Sequence, residues 1–424
     1  MNNVLLKRIL KYSLVEATYK GVNKLILLIL PLFLTGSYFG IVSYYISIEV
    51  LFSVILIAGF DKLTLKFSST FGDNKPLKYS LRSQAVTYII GTLLLLTCLL
   101  FGIQQIMAVP IIPELWMVLT CALLSNLIII QSSFYRSIND VARYFKVRIL
   151  FIGLKGILII TAVSIWPLPQ TYIYANLISG LASVVLFKGF YTGNFAKTVF
   201  RSAQSKFFLR FSLPFIFHTI ATQLMAVLDR FLLFHFTDTK SLGSYSLSYA
   251  IGSSIVFCFI GVSSYMEPMI YKETSTKREY FLNLYLKYSL GIGVLGLLGL
   301  FALIKFNVIS RFYHGYSHDT WNNALRILIS HMFLPFYFMA NYNLTSKGKT
   351  MSLASVTITS SIIMAVMTYF FILFWKVEGA VWAVFLTYFI LGLLALSHKY
   401  NRSARDLGKY AAFTAVNLIL FLVV

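Results

Sequence analysis

The chain has 424 residues, 58% hydrophobic and only 12% charged, with a mean hydropathy of +0.79. A water-soluble fold of this length cannot hide so much apolar surface, so the composition excludes the soluble classes and points to a polytopic membrane protein. Lysine and arginine outnumber aspartate and glutamate 36 to 14. In an apolar chain that excess marks cytoplasmic connections, and suits an anionic substrate, rather than nucleic acid.

In chain order, apolar segments of spanning length fall at about 14–35, 40–65, 85–107, 114–135, 149–166, 171–190, 211–236, 243–268, 284–304, 322–344, 351–375 and 379–397. The fold class expected is therefore all-α, with twelve transmembrane helices. The opening stretch MNNVLLKRILKYSLVEATYKG has no small-residue cleavage site after its apolar part, so no removable signal peptide is expected. Basic residues then recur at every second connection. Lys7, Arg8 and Lys11 precede the first segment, and Lys62, Lys66, Lys75, Lys78 and Arg82 follow the second. Arg136, Arg143, Lys146 and Arg148 follow the fourth, and Lys188, Lys197, Arg201, Lys206 and Arg210 the sixth. Lys272, Lys277, Arg278 and Lys287 follow the eighth, and Lys347 and Lys349 the tenth. Lys399, Arg402, Arg405 and Lys409 close the series, while the alternate connections hold only Lys240, Lys305, Arg311 and Lys376. The positive-inside rule thus places both ends of the twelve-helix bundle in the cytoplasm. Residues 1–191 form a first six-helix half, 192–210 a basic cytoplasmic linker, 211–397 a second half, and 398–424 a basic segment with a short apolar tail. That tail, AAFTAVNLILFLVV, is short for a span and either lies on the membrane or packs against the bundle.

No outer connection is long enough to be a catalytic domain. His314 and His318, in YHGYSHD, have a helical metal-ligand spacing, but Gly315 and the loop context favour solvated histidines. Cys98, Cys121 and Cys258 sit in apolar runs with no partner spacing, so neither a disulfide nor a metal site is indicated. No cofactor is expected.

The informative residues are charges away from the helix ends, each costing roughly 2.5–3.5 kcal/mol at bilayer depth. The bases are Lys20, Lys24, Lys155, Arg230 and Arg326; with Glu16, Glu49, His218, Asp229, Glu267 and His331 they form a polar set. The third, sixth, ninth and twelfth segments carry none, which predicts that those helices pack outside against lipid. In the first segment Ser13, Glu16, Lys20, Asn23 and Lys24 share one helical face. That face either lines a cavity or lies as an amphipathic surface helix on the inner leaflet. In the seventh, His218, Thr222 and Asp229 fall within about 40° of each other, and Arg230 points about 100° away from Asp229. The Asp229–Arg230 pair reads equally well as an outer interface anchor, snorkelling to the helix end, or as part of a cavity. Tyr44, Tyr45, Tyr245, Tyr249 and Tyr265 offer ring faces and hydroxyls to sugars, or belong to packing and interfacial belts.

Motifs give a second line. Leu213-Pro214, Asp229-Arg230, Leu242-Gly243-Ser244-Tyr245-Ser246 and Pro268-Met269-Ile270-Tyr271 resemble the seventh and eighth helices of the polysaccharide-exporter branch of the multidrug/oligosaccharidyl-lipid/polysaccharide superfamily. FYHGYSHDTWNNALRIL, YNLTSKGKT and VEGAVWAVFLTYF are similar to its ninth-to-tenth loop, the end of helix 10 and the start of helix 12, with Val381-Trp382 replacing a second small-residue step. Within that superfamily the chain resembles the O-antigen (Wzx-type) flippases. The resemblance implies two six-helix bundles in a V with alternating access, in a bacterial inner membrane with the N-terminus cytoplasmic. It also implies transfer of an undecaprenyl-diphosphate-linked oligosaccharide to the outer leaflet, coupled to an ion, most often a proton. Partners implied are that lipid-linked substrate, membrane lipids, a polysaccharide polymerase and a chain-length regulator; no catalysis is implied. On this basis Lys20, Lys24, Lys155, Arg230 and Arg326 would meet the diphosphate. Glu16, Glu49, His218, Asp229, Glu267 and His331 would be the candidates for coupling. A multidrug exporter of the same superfamily, or less readily an O-antigen polymerase or ligase, are the rival readings.

Reporter fusions at Ala203 and Lys347 should report cytoplasm, and fusions at Thr239 and Ser317 the outside. An outside signal at Ala203 overturns the two-halves topology, because the central basic segment sets the parity of everything after it.

Overall fold

The computed structural model describes residue 18 and residues 21–57, 59–61, 75–107, 113–138, 140–187, 202–272, 275–347, 349–398, 401 and 404–424. Among the described residues every regular element is helical. The first seven are α1 (Gly21–Leu32), α2 (Gly36–Ile57), α3 (Lys75–Met107), α4 (Pro113–Ser137), α5 (Val141–Ile165), α6 (Pro169–Leu186) and α7 (Ser202–Phe236), one for each of the first seven expected segments. Downstream the correspondence changes. The eighth segment is two helices, α8 (Thr239–Gly252) and α9 (Ile255–Lys272); the ninth is α10 (Ser275–Lys305), followed by the short α11 (Val308–Phe312). The tenth is α12 (His318–His331) and α13 (Leu334–Ser346). The eleventh and twelfth run together as α14 (Thr350–Ser397), bent at Lys376, where φ is 53° and ψ −125°. Last comes α15 (Ala404–Val423). The basic 192–210 linker lies outside the described residues as far as Arg201, and continues as the first turns of α7 from Ser202.

The breaks have local causes. Pro335, in the first turn of α13, lacks an N–H and crowds the preceding turn, so the helix is interrupted at Met332–Phe333. Gly252 ends α8 where a β-carbon would stand 2.4 Å from the Ala324 carbonyl oxygen, so only glycine lets α8 lie this close to α12.

The chain divides into two compact units, Met1–Ile26 with Tyr45–Gln223, and Leu27–Tyr44 with Leu224–Val424. These boundaries differ from the expected 1–191 and 211–397, since 27–44 groups with the second unit and 211–223 with the first. In the first unit, Leu124, Ile128, Val147, Phe151 and Val184 join α4, α5 and α6. Leu56 meets Leu119 and Ala122 across α2 and α4. Ile57, Phe60, Ala85, Val86, Ile89 and Ile130 close the core against α3. Ser53 and Asn126 add a reciprocal pair: the Ser53 hydroxyl donates to Asn126 Oδ1 (2.7 Å) and Asn126 Nδ2 donates to the Ser53 carbonyl (2.8 Å). Such self-satisfied polar groups are the form in which hydrogen bonding survives where lipid supplies no partner.

In the second unit the start of α2 crosses α8 on glycine. A β-carbon on Gly40 would stand 2.0 Å from the Thr239 carbonyl oxygen, and one on Gly243 1.9 Å from that of Gly36. This is the small-residue contact that lets two helix backbones touch without a hydrophobic drive between them. It explains why 27–44 groups with the second unit rather than with its sequence neighbours.

Two expectations are corrected. The tail is not a short fragment: α15 has 20 residues, about 30 Å of helix, and is long and apolar enough to cross a membrane. Of the alternatives, it packs against the bundle. Tyr410, Phe413, Thr414, Asn417 and Phe421 recur at helical spacing on its inner side. Tyr410 stacks on Phe389 and sits against Gly392, while Phe421 lies against Trp382 and Phe385. The register makes α15 antiparallel to the last part of α14. The second correction concerns the charge-free helices. α3 and α10 do expose apolar residues such as Leu94, Leu95, Leu295 and Leu298, but the twelfth segment buries Ala380, Val381, Ala383, Val384 and Phe385. It is covered by α15, so absence of charge did not mean contact with lipid.

Because α15 retraces the depth of the twelfth segment, a reporter after Val424 should lie on the opposite side of the membrane from one at Asn401. The same side for both would mean that α15 does not cross.

Candidate functional site

The seventh segment sets the site. Asp229 is 1% exposed although the surrounding sequence is apolar. Its carboxylate accepts a very short hydrogen bond from the Tyr245 hydroxyl of α8. It also accepts from the Arg230 backbone N–H at 2.8 Å, and Arg230 Nη1 lies 3.7 Å away. Arg230 does not reach for the helix end. Its Nη1 donates to the Ala226 carbonyl at 2.6 Å, four residues back along α7, and its guanidinium lies 4.2 Å from the Tyr249 ring centroid. The snorkelling anchor is therefore corrected: the side chain turns inward, where a desolvated cation–π contact stabilises by about 2 kcal/mol. Although the two side chains start about 100° apart on the helix, both converge on α8, because the arginine stem is long enough to curl back.

The cluster extends across three further contacts. Tyr249 and Tyr388 hydroxyls are 3.3 Å apart. The His331 ring centroid is 4.6 Å from that of Tyr388 and 5.5 Å from that of Tyr249. His331 Nδ1 is 2.7 Å from the Ile327 carbonyl. A carbonyl only accepts, so Nδ1 carries the hydrogen. His331 is 1% exposed, at the last turn of α12 before the Pro335 break. Asp229, Arg230, Tyr245, Tyr249, His331 and Tyr388 thus form one buried polar cluster in the second unit. Of the two readings open for Tyr245 and Tyr249, sugar surface or packing, the second holds: Tyr245 is buried and Tyr249 half-buried, both against the Asp229–Arg230 pair. Tyr388 was not singled out in the sequence, where an isolated tyrosine in FLTYFI carries no signal.

The first unit holds a smaller counterpart. Glu49 on α2 receives Lys155 Nζ at 3.4 Å from α5 and Asn176 Nδ2 at 2.9 Å from α6. Glu49 and Lys155 are both buried. Asn176 was not foreseen, because a single asparagine in an apolar helix has no charge to mark it.

The remaining expected residues are placed as follows. Lys24 is half-buried on α1, and Glu267 half-buried on α9. Lys20 and Glu16 lie outside the described residues, as does the side chain of His218. Arg326 stands apart from both clusters. It pairs with Glu378 at 2.5 Å, eight residues into α12, beside the 237–241 and 375–378 connections. No group of three or more metal-ligating side chains occurs among the described residues, and all three cysteines are free.

The family profile described as "polysaccharide biosynthesis protein" matches residues 5–272. The chain belongs to that family. No curated protein matches the sequence. Among solved structures, the chain is similar to an inward-facing multidrug resistance MATE family transporter of the MOP superfamily. The TM-score is 0.66 at 11% identity over 94% of this chain and 96% of that one. It is also similar to the lipid II flippase MurJ in an inward closed conformation, with TM-score 0.66 and 16% identity over 97% and 91%. A third is a MOP superfamily transporter from Pyrococcus furiosus, described as having a binding pocket of reversed polarity, with TM-score 0.58 and 12% identity over 96% of each chain. These similarities give the fold alone: a multi-pass helical architecture like that of these transporters.

Tyr245→Phe removes one donor from a carboxylate that is 1% exposed, at a cost of about 1–3 kcal/mol. Its thermal unfolding in detergent should shift down, and Asp229→Ala, which strands Arg230, should shift it further. Unchanged melting in both variants would remove the cluster's structural role.

Proposed function

We propose that this protein flips a lipid-linked saccharide, of the undecaprenyl-diphosphate O-antigen repeat type, from the cytoplasmic to the outer leaflet of a bacterial inner membrane. The carrying observation is the family match over residues 5–272, set on a transporter architecture. The N-terminus is cytoplasmic in this reading, movement follows alternating access, and no catalytic step is involved. The polyprenyl chain stays in hydrocarbon while the head crosses.

The diphosphate needs cations. In this reading Lys20 and Lys24 meet the diphosphate, and Lys155, Arg230 and Arg326, which hold carboxylates, join them. Exchange of carboxylate partners would expose the others. Lysine suits this as a compact charge, and arginine as a planar fork. Coupling falls to Asp229, with His331 in the same cluster. Protonating Asp229 would weaken its hold on Arg230 and free the guanidinium for phosphate oxygens, which links proton uptake to release of the anion site. A multidrug exporter is less well supported: Glu49 and Asp229, the two buried carboxylates in clusters, are each compensated by a base, leaving neither to hold an organic cation.

Deleting the gene in its host should make lipid-linked repeat units accumulate on the cytoplasmic face without changing drug sensitivity; drug sensitivity without accumulation favours the exporter. In vesicles carrying labelled lipid-linked oligosaccharide, Asp229→Asn should slow transport and flatten its pH dependence, whereas Arg230→Lys should retain part of it. A wild-type rate and profile in Asp229→Asn would remove Asp229 from coupling and leave Glu49 and Glu267 as candidates.

A further inference from the structure

Three connections of the second unit meet around one polar cavity of about 790 Å³: the turn from α7 to α8, the start of α12, and the bend in α14. Its wall carries Asp238, Asp319 and Glu378 against Lys240, Lys376 and Arg326, so the formal charges cancel. Asn322 and Asn323 add amides, and Trp375, about half exposed, is the aromatic residue of the wall.

The cavity is held in shape by its own residues. Lys376 has a positive φ with ψ −125°, a conformation that costs about 1–3 kcal/mol and persists only where the surroundings enforce it. The enforcement is visible: Lys376 Nζ donates to the Phe236 carbonyl at the end of α7 (3.2 Å), and Gly379 lies against the Phe371 carbonyl with no room for a β-carbon. Arg326 is fixed by Glu378, and its Nε is buried with no hydrogen-bond partner. Asp238 caps α8 by accepting from the Ser241 N–H at 2.9 Å and from the Ser241 hydroxyl at 2.7 Å, and these bonds hold its carboxyl below the usual carboxylate range.

We infer that this cavity binds the saccharide head of the cargo on the outer side of the membrane. The inference rests on the flippase reading and on the orientation taken from the basic connections, which puts the 7–8, 9–10 and 11–12 turns outside. A sugar is uncharged over most of its surface and carries hydroxyls that both donate and accept. A wall with balanced carboxylates, cations and amides can satisfy them from every side. The exposed indole of Trp375 offers the apolar face that the C–H side of a sugar ring requires. The volume falls within the roughly 300–1,000 Å³ of ordinary ligand pockets. Other ligand classes fit less well. A free phosphate and an organic cation would each meet as many like charges as opposite ones.

The test uses the full-length protein in nanodiscs. The probe is the oligosaccharide released by mild acid from the lipid-linked material that accumulates in cells lacking this chain, so that it carries neither diphosphate nor lipid. Calorimetric titration should show binding to the wild type. Affinity should be at least tenfold weaker in Trp375→Ala and in Asn322→Ala, and within severalfold of wild type in Trp375→Phe, which keeps a ring. Melting curves identify any variant that fails to fold, and the other variants then decide. Accumulation of lipid-linked material whose released saccharide does not bind, or binds Trp375→Ala and Asn322→Ala as it binds the wild type, overturns this site and leaves the flippase reading standing. Absence of accumulation overturns both.

Discussion

An ionised carboxylate inside a hydrocarbon-facing helix must find every hydrogen-bond donor within the protein, and Asp229 is in that position. The donors it finds, the Tyr245 hydroxyl and the arginine next in sequence, require α8 to run close beside α7. Tyr245 is fully buried, so nothing else stands between them. α8 in turn lies against the start of α2 through Gly36, Gly40 and Gly243, and against α12 through Gly252. The same approach of α8 to α12 brings Tyr249 within ring contact of His331. The buried acid thus sits at the centre of a cluster that draws on four elements, α7, α8, α12 and α14, and glycine lets α8 pack closely enough to reach it.

The two units solve the problem of a buried acid in different ways. Glu49 is compensated by a lysine and an amide from two neighbouring helices. Its partners lie more than a hundred residues away in sequence, so the pair fastens α2, α5 and α6 together. Asp229 is compensated mainly by its own neighbour and by phenol groups, which polarise the cluster without adding charge. A compact ion pair held from several helices resists change, because removing either partner strands the other. A carboxylate held by a phenol and a curled arginine has alternatives: the guanidinium retains the Tyr249 face and the Ala226 carbonyl even if the carboxylate becomes neutral. In the proposed flippase, that asymmetry favours the second unit for coupling.

The same unit also carries the two features that sequence periodicity misjudged. The twelfth segment has no charge and reads as lipid-facing, yet α15 covers it with Tyr410, Phe413 and Phe421. The length of α15 was hidden because its first turns, ARDLGKY, are polar and fall below any apolar threshold, although they continue the same helix.

Sequence alone determined the class, the number and order of the first seven helices, and the residues worth suspecting. Hydrophobic run length is set by bilayer thickness, and the price of burying charge makes each intramembrane Lys, Arg, Asp or Glu conspicuous. Glu49, Lys155, Asp229, Arg230 and His331 were all visible for that reason. Tertiary structure decided which of them meet. The angle between Asp229 and Arg230 on an ideal helix says nothing of how a flexible arginine stem curls. Neutral partners such as Tyr388 and Asn176 cost too little on burial to stand out in a sequence. Pairings between residues a hundred positions apart depend on helix contacts that glycine permits and that no local pattern encodes.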